Sequence, residues 1–413
     1  MVENIKIEDF DYELPEERIA VHPLQERDQC RLLLCAPDNR IYHRKFFELP
    51  DLLPPGAMLV CNDTKVIRAR LFFHKATGAL IEIFLLEPLI PSDYTLNFQS
   101  TSSCVWKCLV GNLKKWKDGE LVMQIPGSGH FPELELHALR KESLADGGIA
   151  VEFRWTNADV TFSQIVEQAG RIPIPPYLNR ESEESDLTDY QTVYAERQGS
   201  VAAPTAGLHF TPEVFEGLEA HAVAIEKLTL HVGAGTFRPV KSATIGGHDM
   251  HSERFSVSLQ LLEKIYKWKK ERRPVIAVGT TTVRTLESLP YIAHAYARNF
   301  ENPLNLDQWR AYTDEVKEID TTAALKLLIE KMKEEKRSQL TCTTSIMIAP
   351  GFRWRIVDGM VTNFHQPKST LLLLVSSFLN RSNHTGLWKR LYKEALKEGY
   401  RFLSYGDACL LLS

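Results

Sequence analysis

Long apolar runs, an excess of positive charge and closely paired cysteines are all missing from this 413-residue sequence. The longest apolar run, Leu371 to Leu379, is too short to cross a bilayer, so we expect no membrane partner. The formal net charge of −4 excludes a globally basic nucleic-acid binder but allows a local basic face. The acidic first residues contain no apolar signal-peptide segment, which predicts a cytoplasmic protein.

Sequence motifs for metals, dithiols and nucleotide phosphates are also missing. The seven cysteines include no C-x-x-C pair, and their odd number predicts reduced thiols. The glycines Gly233 and Gly235 follow an apparent strand, but without a third glycine and a following helix they do not make a dinucleotide fingerprint. They allow either a close approach to a ligand or a tight turn.

The chain divides into a β-rich segment inside an α/β region. Short apolar runs separated by Gly, Pro and Asp fill residues 75–155 and predict a small antiparallel β-barrel. Alternating strands and helices on either side predict an α/β catalytic domain with a mixed sheet, made of residues 1–74 and 156–413. Within it, the charge-dense stretch at about 299–339 predicts a solvated surface insertion.

A helix start in the α/β region is suited to binding an anion. A buried strand ends at Gly279, three threonines follow, and Arg284 lies one turn further on. The free N–H groups of a helix N-terminus and a guanidinium together favour an anionic group, so Thr280, Thr281 and Arg284 are candidate binding residues. Threonines that only cap the helix give the same pattern.

Further polar residues stand at strand ends or in loops. The block from His248 to Glu253 contains two histidines and two acidic residues, which fit metal ligation, acid–base chemistry or a structural role. Asn363 and His365 end a strand ahead of the Ser369 helix cap, and they fit either a site or a buried polar pair. Asn62, Thr64 and Arg68 cluster just before the β-rich segment.

The small-residue stretch "SVAAPTAGLHF" (200–210) carries no charged residue. Such a loop fills a core poorly but lets a backbone and one imidazole approach another group closely. Thr205, Gly207 and His209 are therefore candidate site residues. The alternative is an ordinary turn at Gly207 with His209 as a hydrogen-bonded core residue.

Taken together, these blocks resemble the S-adenosylmethionine:tRNA ribosyltransferase-isomerases of queuosine biosynthesis. The resemblance rests on the following blocks, which occur in the family's order: "LVCNDTKVIRARL" (59–71), "YQTVYAERQGSVAAPTAGLHFT" (190–211), "TLHVGAGTFRPV" (229–240), "HDMHSERF" (248–255), "AVGTTTVRTLES" (277–288), "PGFRWRIVDGMVTNFHQPKSTLLLLVSSF" (350–378) and "YRFLSYGDACLL" (400–411). It covers nearly the whole chain apart from residues 299–339.

The resemblance implies a tRNA-modifying enzyme. Members transfer and isomerise the ribosyl group of S-adenosylmethionine onto 7-aminomethyl-7-deazaguanine in the tRNA anticodon, giving epoxyqueuosine and releasing adenine and methionine. It implies S-adenosylmethionine as cosubstrate, tRNA as partner, no metal and no bound cofactor, and we expect a monomer. The base that starts the reaction is expected to be His209 or His251, with Asp407 as the third candidate.

Two other functions remain open from the sequence. A methyltransferase would use the same cosubstrate, but its usual Gly-rich loop after the first strand is missing. A non-catalytic RNA-binding protein would need only the β-rich segment and the basic helix near Lys267–Lys270. That second function would leave the His- and Thr-rich blocks unexplained.

Overall fold

The described chain forms two compact units. The structure, a computed structural model, describes residues 2–75, 77–145, 147–233, 240–382 and 386–413. The first unit comprises the chain up to Thr64, Thr192–Ala195 and Pro204–Ser413, and the second comprises Lys65–Gln191 and Glu196–Ala203. The second unit therefore extends beyond the 75–155 segment on both sides.

The strands are named in chain order. They are β1 Arg31–Cys35, β2 Ile41–Lys45, β3 Met58–Asn62, β4 Thr64–Val66, β5 Arg70–His74, β6 Leu80–Ile90, β7 Ser103–Val110, β8 Glu120–Ile125, β9 Leu134–Ser143, β10 Ile149–Arg154, β11 Arg197–Ser200, β12 Ala224–Leu230, β13 Glu253–Ser258, β14 Val275–Val278, β15 Asn305–Leu306, β16 Gln339–Thr344, β17 Gly359–Asn363 and β18 Ala408–Leu412. The helices are α1 Leu49–Leu52, α2 Tyr94–Phe98, α3 Phe162–Ala169, α4 Asp186–Asp189, α5 Pro212–Ala220, α6 Leu259–Lys270, α7 Thr280–Ala297, α8 Thr321–Glu334, α9 Thr370–Leu379 and α10 Leu387–Lys397.

A large mixed sheet forms the centre of the first unit. Its described strands run in the order β15-β16-β13-β12-β3-β14-β17-β18-β1-β2. The neighbours β12, β3, β14 and β17 are parallel to one another. β13 is antiparallel to both β12 and β16, and β18 is antiparallel to β17 but parallel to β1. Because the central strands are buried on both faces, they consist of nearly continuous apolar residues. The predicted α/β unit with a mixed sheet is confirmed.

Side-chain caps mark the starts of two helices of this unit. The Thr211 side chain accepts a hydrogen bond from the Val214 N–H at the start of α5, and Pro212 occupies the first helical position. Ser258 accepts from the Leu261 N–H in the same way at the start of α6. In α6, Lys269 is bonded to the Asp358 carboxylate, so the basic run is partly a structural feature.

A barrel-like antiparallel sheet forms the second unit. Its six strands run in the order β5-β6-β7-β10-β9-β8, and the end strands β5 and β8 approach each other, which nearly closes the sheet. Phe162 of α3 packs against Trp106 and Phe153 of the barrel, with ring centroids 5.9 and 5.3 Å apart. Because α3 completes this aromatic core, the unit extends past residue 155.

The charged stretch 299–339 differs from the expectation of a solvated insertion. It contains β15, which pairs with β16, and α8, which packs against α6 and α7. The α8 residues Leu325, Leu328 and Met332 are buried at helical spacing, while Lys326 and Glu330 remain exposed. The charges therefore cover only the outer face of a helix that belongs to the core.

Two further features concern membrane-spanning helices and the cysteines. Among the described residues, no helix is long and apolar enough to cross a membrane. All seven cysteines lie in the described part of the chain as buried, unpaired thiols, as expected.

The packing of α8 predicts that its buried face stabilises the fold. Leu328→Ala should lower the free energy of unfolding by about 2–5 kcal/mol, because it leaves a cavity at a side chain that is 1% exposed. Lys326→Ala on the outer face of the same helix is the matched control, and it should change stability by less than about 0.5 kcal/mol. Chemical denaturation measures both, and equal small effects would contradict the packing described here.

Candidate active site

Several of the predicted site residues lie at one edge of the large sheet. The parallel strands β3, β12, β14 and β17 end there, at or just before Asn62, Gly233, Thr280 and Asn363. The antiparallel β13 begins at the same edge with Glu253, beside the end of β12. In α/β proteins, ligands bind outside the carboxyl ends of such strands.

Glu253 brings together three sequence blocks at this edge. One carboxylate oxygen, Oε1, lies 3.2 Å from His251 Nε2, and the other, Oε2, accepts a hydrogen bond from Arg284 Nη1. The Gly233 N–H donates to the same carboxylate. A methyl group on Gly233 would lie 3.6 Å from His251 Cδ2. The end of β12 is therefore in close contact with the loop that carries His251, which we call the histidine loop.

The charges around Glu253 keep it ionised. Burial raises the pKa of this carboxyl, but Arg284, His251 and the Gly233 N–H outweigh burial and hold the pKa below its usual range. The side chains of Glu253 and Arg284 are only 1% and 7% exposed. The cluster is therefore a buried ion pair with a histidine at its more exposed side, since His251 is 31% exposed.

The N-terminus of α7 leaves polar atoms without partners beside this ion pair. The Arg284 Nε and Nη2 and the Thr281 Oγ1 are buried, and the part of the chain that the structure describes gives them no hydrogen-bond partner. The Thr282 hydroxyl, by contrast, is bonded to the Val278 carbonyl. Unpaired donors at a helix N-terminus have the chemistry that suits a small anion.

His209 forms a second polar network at the same edge. Its Nε2 lies 3.0 Å from Asn363 Nδ2, and its Nδ1 lies 3.4 Å from Cys30 Sγ. The Asn363 Oδ1 accepts from the Thr205 hydroxyl, and its Nδ2 also donates to the Leu403 carbonyl. The predicted residues Thr205, His209 and Asn363 are thus brought together, but their polar atoms are used within the protein.

Burial holds His209 neutral, lowering its pKa to about 3, with Arg401 and Arg27 adding to the effect. Since Asn363 donates to Nε2, the remaining proton is on Nδ1, which faces Cys30. His209 therefore has no unoccupied ring nitrogen. Its geometry favours a structural role over that of a base.

Gly207 is required by packing inside the protein. A Cβ at this position would lie 2.0 Å from the Tyr194 hydroxyl oxygen and 2.8 Å from Thr192 Cγ2. The close approach that the small-residue loop permits at Gly207 is therefore to Tyr194. The loop still borders the start of α7, because a methyl group on Gly279 would lie 3.7 Å from Ala206 Cβ.

Three other candidates are hydrogen-bonded within the protein, Asn62 and Asp407 to backbone groups and His365 to a side chain. Asn62 accepts from the Leu230 N–H and donates to the Leu230 carbonyl, which joins β3 to β12. The Asp407 carboxylate accepts the N–H groups of Arg31 and Arg401, and burial raises its pKa although these bonds oppose the effect. The His365 Nε2 lies 2.9 Å from the Thr362 hydroxyl, and burial lowers the pKa of His365 to about 3.

The remaining candidates are Thr64, Thr280, Arg68 and Gly235. Thr64 is buried, begins β4 and donates its N–H to Asn62 Oδ1, and Thr280 is the first residue of α7, beside Thr281. Arg68 belongs to the second unit, where it lines a cavity of about 190 Å³ with Lys65 and Gln191. Gly235 lies outside the described residues. Within the described ranges, no group of three or more His, Cys, Asp or Glu side chains is arranged to hold a metal ion.

Known proteins resemble this chain over its whole length. The model of the family described as "Queuosine biosynthesis protein" matches residues 7–411. The chain belongs to this family. Its relatives include proteins named S-adenosylmethionine:tRNA ribosyltransferase-isomerase from Halothermothrix orenii, 38% identical over 99% of this chain and 100% of that protein, and from Pelobacter propionicus, 39% identical over 98% and 99%.

A solved structure also matches the family member described here. It is described as an S-adenosylmethionine tRNA ribosyltransferase from Thermotoga maritima, is 30% identical, and covers 98% of this chain and 100% of its own, with a TM-score of 0.46. The family expected from the sequence blocks is confirmed. The roles of individual residues remain predictions.

The sequence placed Glu253 in the block of possible metal, acid–base or structural residues without giving it a role, and it did not indicate Gln308 at all. Glu253 shares the inward face of β13 with the buried Phe255 and Val257, and an acidic residue in that register indicates a buried, paired charge. Gln308 gives no such signal. It accepts from the Met250 N–H and donates to the His248 carbonyl, so the charged stretch supports the loop that carries His251.

The two buried histidines predict a stability that depends on pH. His209 and His365 have a folded pKa of about 3, below the ordinary value of 6.5, so between these values the unfolded chain binds protons that the folded chain excludes. The free energy of unfolding should fall as pH is lowered from about 6.5 towards 3. His365→Gln removes one of the groups that takes up a proton on unfolding. The free energy of unfolding should therefore change with pH less steeply, by about 1.4 kcal/mol per pH unit. His22→Gln, at an exposed histidine, is the control. Denaturation at several pH values measures the free energy of unfolding of both variants. An equal pH dependence in the two would contradict the prediction.

Proposed function

We propose that this chain is an S-adenosylmethionine:tRNA ribosyltransferase-isomerase. It transfers and isomerises the ribosyl group of S-adenosylmethionine onto 7-aminomethyl-7-deazaguanine in the tRNA anticodon, forms epoxyqueuosine-tRNA, and releases adenine and methionine. The names of the relatives support the reaction class. The observation that supports this site is the convergence of His251, Arg284 and the start of α7 on Glu253.

The first step that we propose is removal of a proton from the ribose carbon beside sulfur. The sulfonium makes this proton acidic enough for a neutral imidazole to remove. His251 suits the task better than His209, because it is partly exposed and its Nδ1 has no partner among the described residues. Both ring nitrogens of His209 already have partners.

The anion site at α7 suits the methionine end of the cosubstrate. The Arg284 Nε and Nη2 and the Thr281 hydroxyl are in position to bind a carboxylate near the helix N-terminus. A tRNA phosphate has the same chemistry, so the two ligands must be distinguished by experiment. No metal or bound cofactor takes part in the proposed step.

Product analysis tests the reaction. The enzyme is incubated with S-adenosylmethionine and tRNA that carries the precursor base, and the small products are separated. We expect adenine and methionine together. S-adenosylhomocysteine would instead identify a methyltransferase, and tRNA binding without turnover would identify an RNA-binding protein.

The two histidine variants test the base. With cosubstrate deuterated at the carbon beside sulfur, His251→Ala should lose about 10²–10⁴ in rate while it still binds the cosubstrate. His209→Ala should retain the isotope-sensitive step and lose stability, because it breaks the Asn363 network. Near wild-type turnover by His251→Ala would assign the base to another group.

The ligand of the anion site is tested with Arg284→Lys. This variant keeps a positive charge beside Glu253 but loses the guanidinium fork, so folding is spared. The KM for S-adenosylmethionine should rise about tenfold or more, with little change in tRNA affinity, since a charge-assisted hydrogen bond contributes about 1.5–3 kcal/mol. A larger loss of tRNA affinity would assign the site to a phosphate.

A further inference from the structure

The carboxylate of Glu253 contacts both His251, the proposed base, and Arg284, the proposed anion-binding residue. Its Oε1 faces His251 Nε2 at 3.2 Å, and its Oε2 accepts from Arg284 Nη1. The Glu253 side chain is 1% exposed, which leaves it little access to a substrate. Any effect of Glu253 on the reaction must therefore pass through these two neighbours.

We infer that Glu253 is a positioning residue that sets the tautomer of His251 and its spacing from Arg284, a role that rests on the function proposed above. A carboxylate is only an acceptor, so the His251 proton belongs on Nε2, where it is donated to Oε1. The lone pair is then on Nδ1, the nitrogen without a partner among the described residues. His251 is thus held with its basic nitrogen available.

The same contact supports the charge that develops on the base. When Nδ1 takes the proton from the ribose carbon, the bonding electron pair stays on that carbon beside sulfur, and the ring becomes an imidazolium. The ionised Glu253 then stabilises this cation through the Nε2–H bond, as orienting carboxylates do for other catalytic imidazoles. Among the described residues, the other charged or titratable groups of this cluster are Arg284, which shares the Glu253 carboxylate, and His248, which interacts with both His251 and Asp249.

Arg284 is held by the second carboxylate oxygen. Because Nη1 is used by Glu253, the guanidinium plane is fixed with Nε and Nη2 left for an anion. One carboxylate therefore determines the distance between the base and the anion site. The Gly233 N–H fixes that carboxylate in turn, from the end of β12.

The tautomer can be measured in the wild-type protein. Nitrogen NMR of protein labelled with ¹⁵N-histidine distinguishes Nε2–H from Nδ1–H rings, and the spectrum of His251→Gln assigns the signal of His251. We expect the Nε2–H tautomer in the neutral ring, because Nε2 faces the Glu253 carboxylate. An Nδ1–H tautomer in the wild type would overturn the inference. This measurement does not require a Glu253 variant to fold.

Kinetics of Glu253→Gln provide the second test. The amide keeps the size of the side chain but can present its NH₂ group to His251, so kcat should fall about ten- to a hundredfold, with a smaller change in KM for S-adenosylmethionine. The His251 signal should also change tautomer. Glu330→Gln, the same change at an exposed position on the outer face of α8, is the control and should keep the wild-type values.

The outcomes separate this inference from the proposed function. Wild-type protein that releases no adenine and methionine contradicts the function. If the wild type is active and Glu253→Gln has an unchanged kcat, the inference about Glu253 is contradicted but the proposed function is not. A variant in which only KM rises also overturns it, because Glu253 would then act through Arg284 and not through His251.

Discussion

The buried ion pair between Arg284 and Glu253 is the constraint on which the candidate site depends. Removal of a charged group from water costs several kcal/mol, so each of these side chains needs the other and further hydrogen bonds. The partners come from α7, β13, the end of β12 and the histidine loop. Because the histidine loop runs directly into β13, three separate segments must meet at one point, and that point lies at the edge where the parallel strands end.

A second polar network lies at the same edge but has a different character. His209 is neutral, buried and bonded on both ring nitrogens, and Asn363 connects it to Thr205 and to the Leu403 carbonyl. Such a satisfied network makes the loop rigid rather than reactive. It places Ala206 against Gly279, the residue before α7, and so supports the helix start that the ion pair uses.

The charged stretch shows how composition can mislead. Its many Lys and Glu residues predict a solvated insertion, yet α8 buries an apolar face against α6 and α7. Gln308 in the same stretch bonds to the backbone of the loop that precedes His251. The stretch thus contributes to the core and supports the site, although its outer surface is charged.

The sequence by itself determined the strands and helices with strong local signals, the family, and the blocks in which a site would be found. Caps at Thr211 and Ser258, the apolar strands and the start of α7 depend on neighbours in the chain, so they could be predicted. Only the tertiary structure decided which polar side chains are hydrogen-bonded within the protein and which are left to bind a substrate. The partners of His209 and Asn62 lie far away in the sequence, as do Arg31 from Asp407 and Arg284 from Glu253. Hydrogen bonds between such distant residues leave no spacing pattern, and for this reason the sequence alone could not separate His251 from His209.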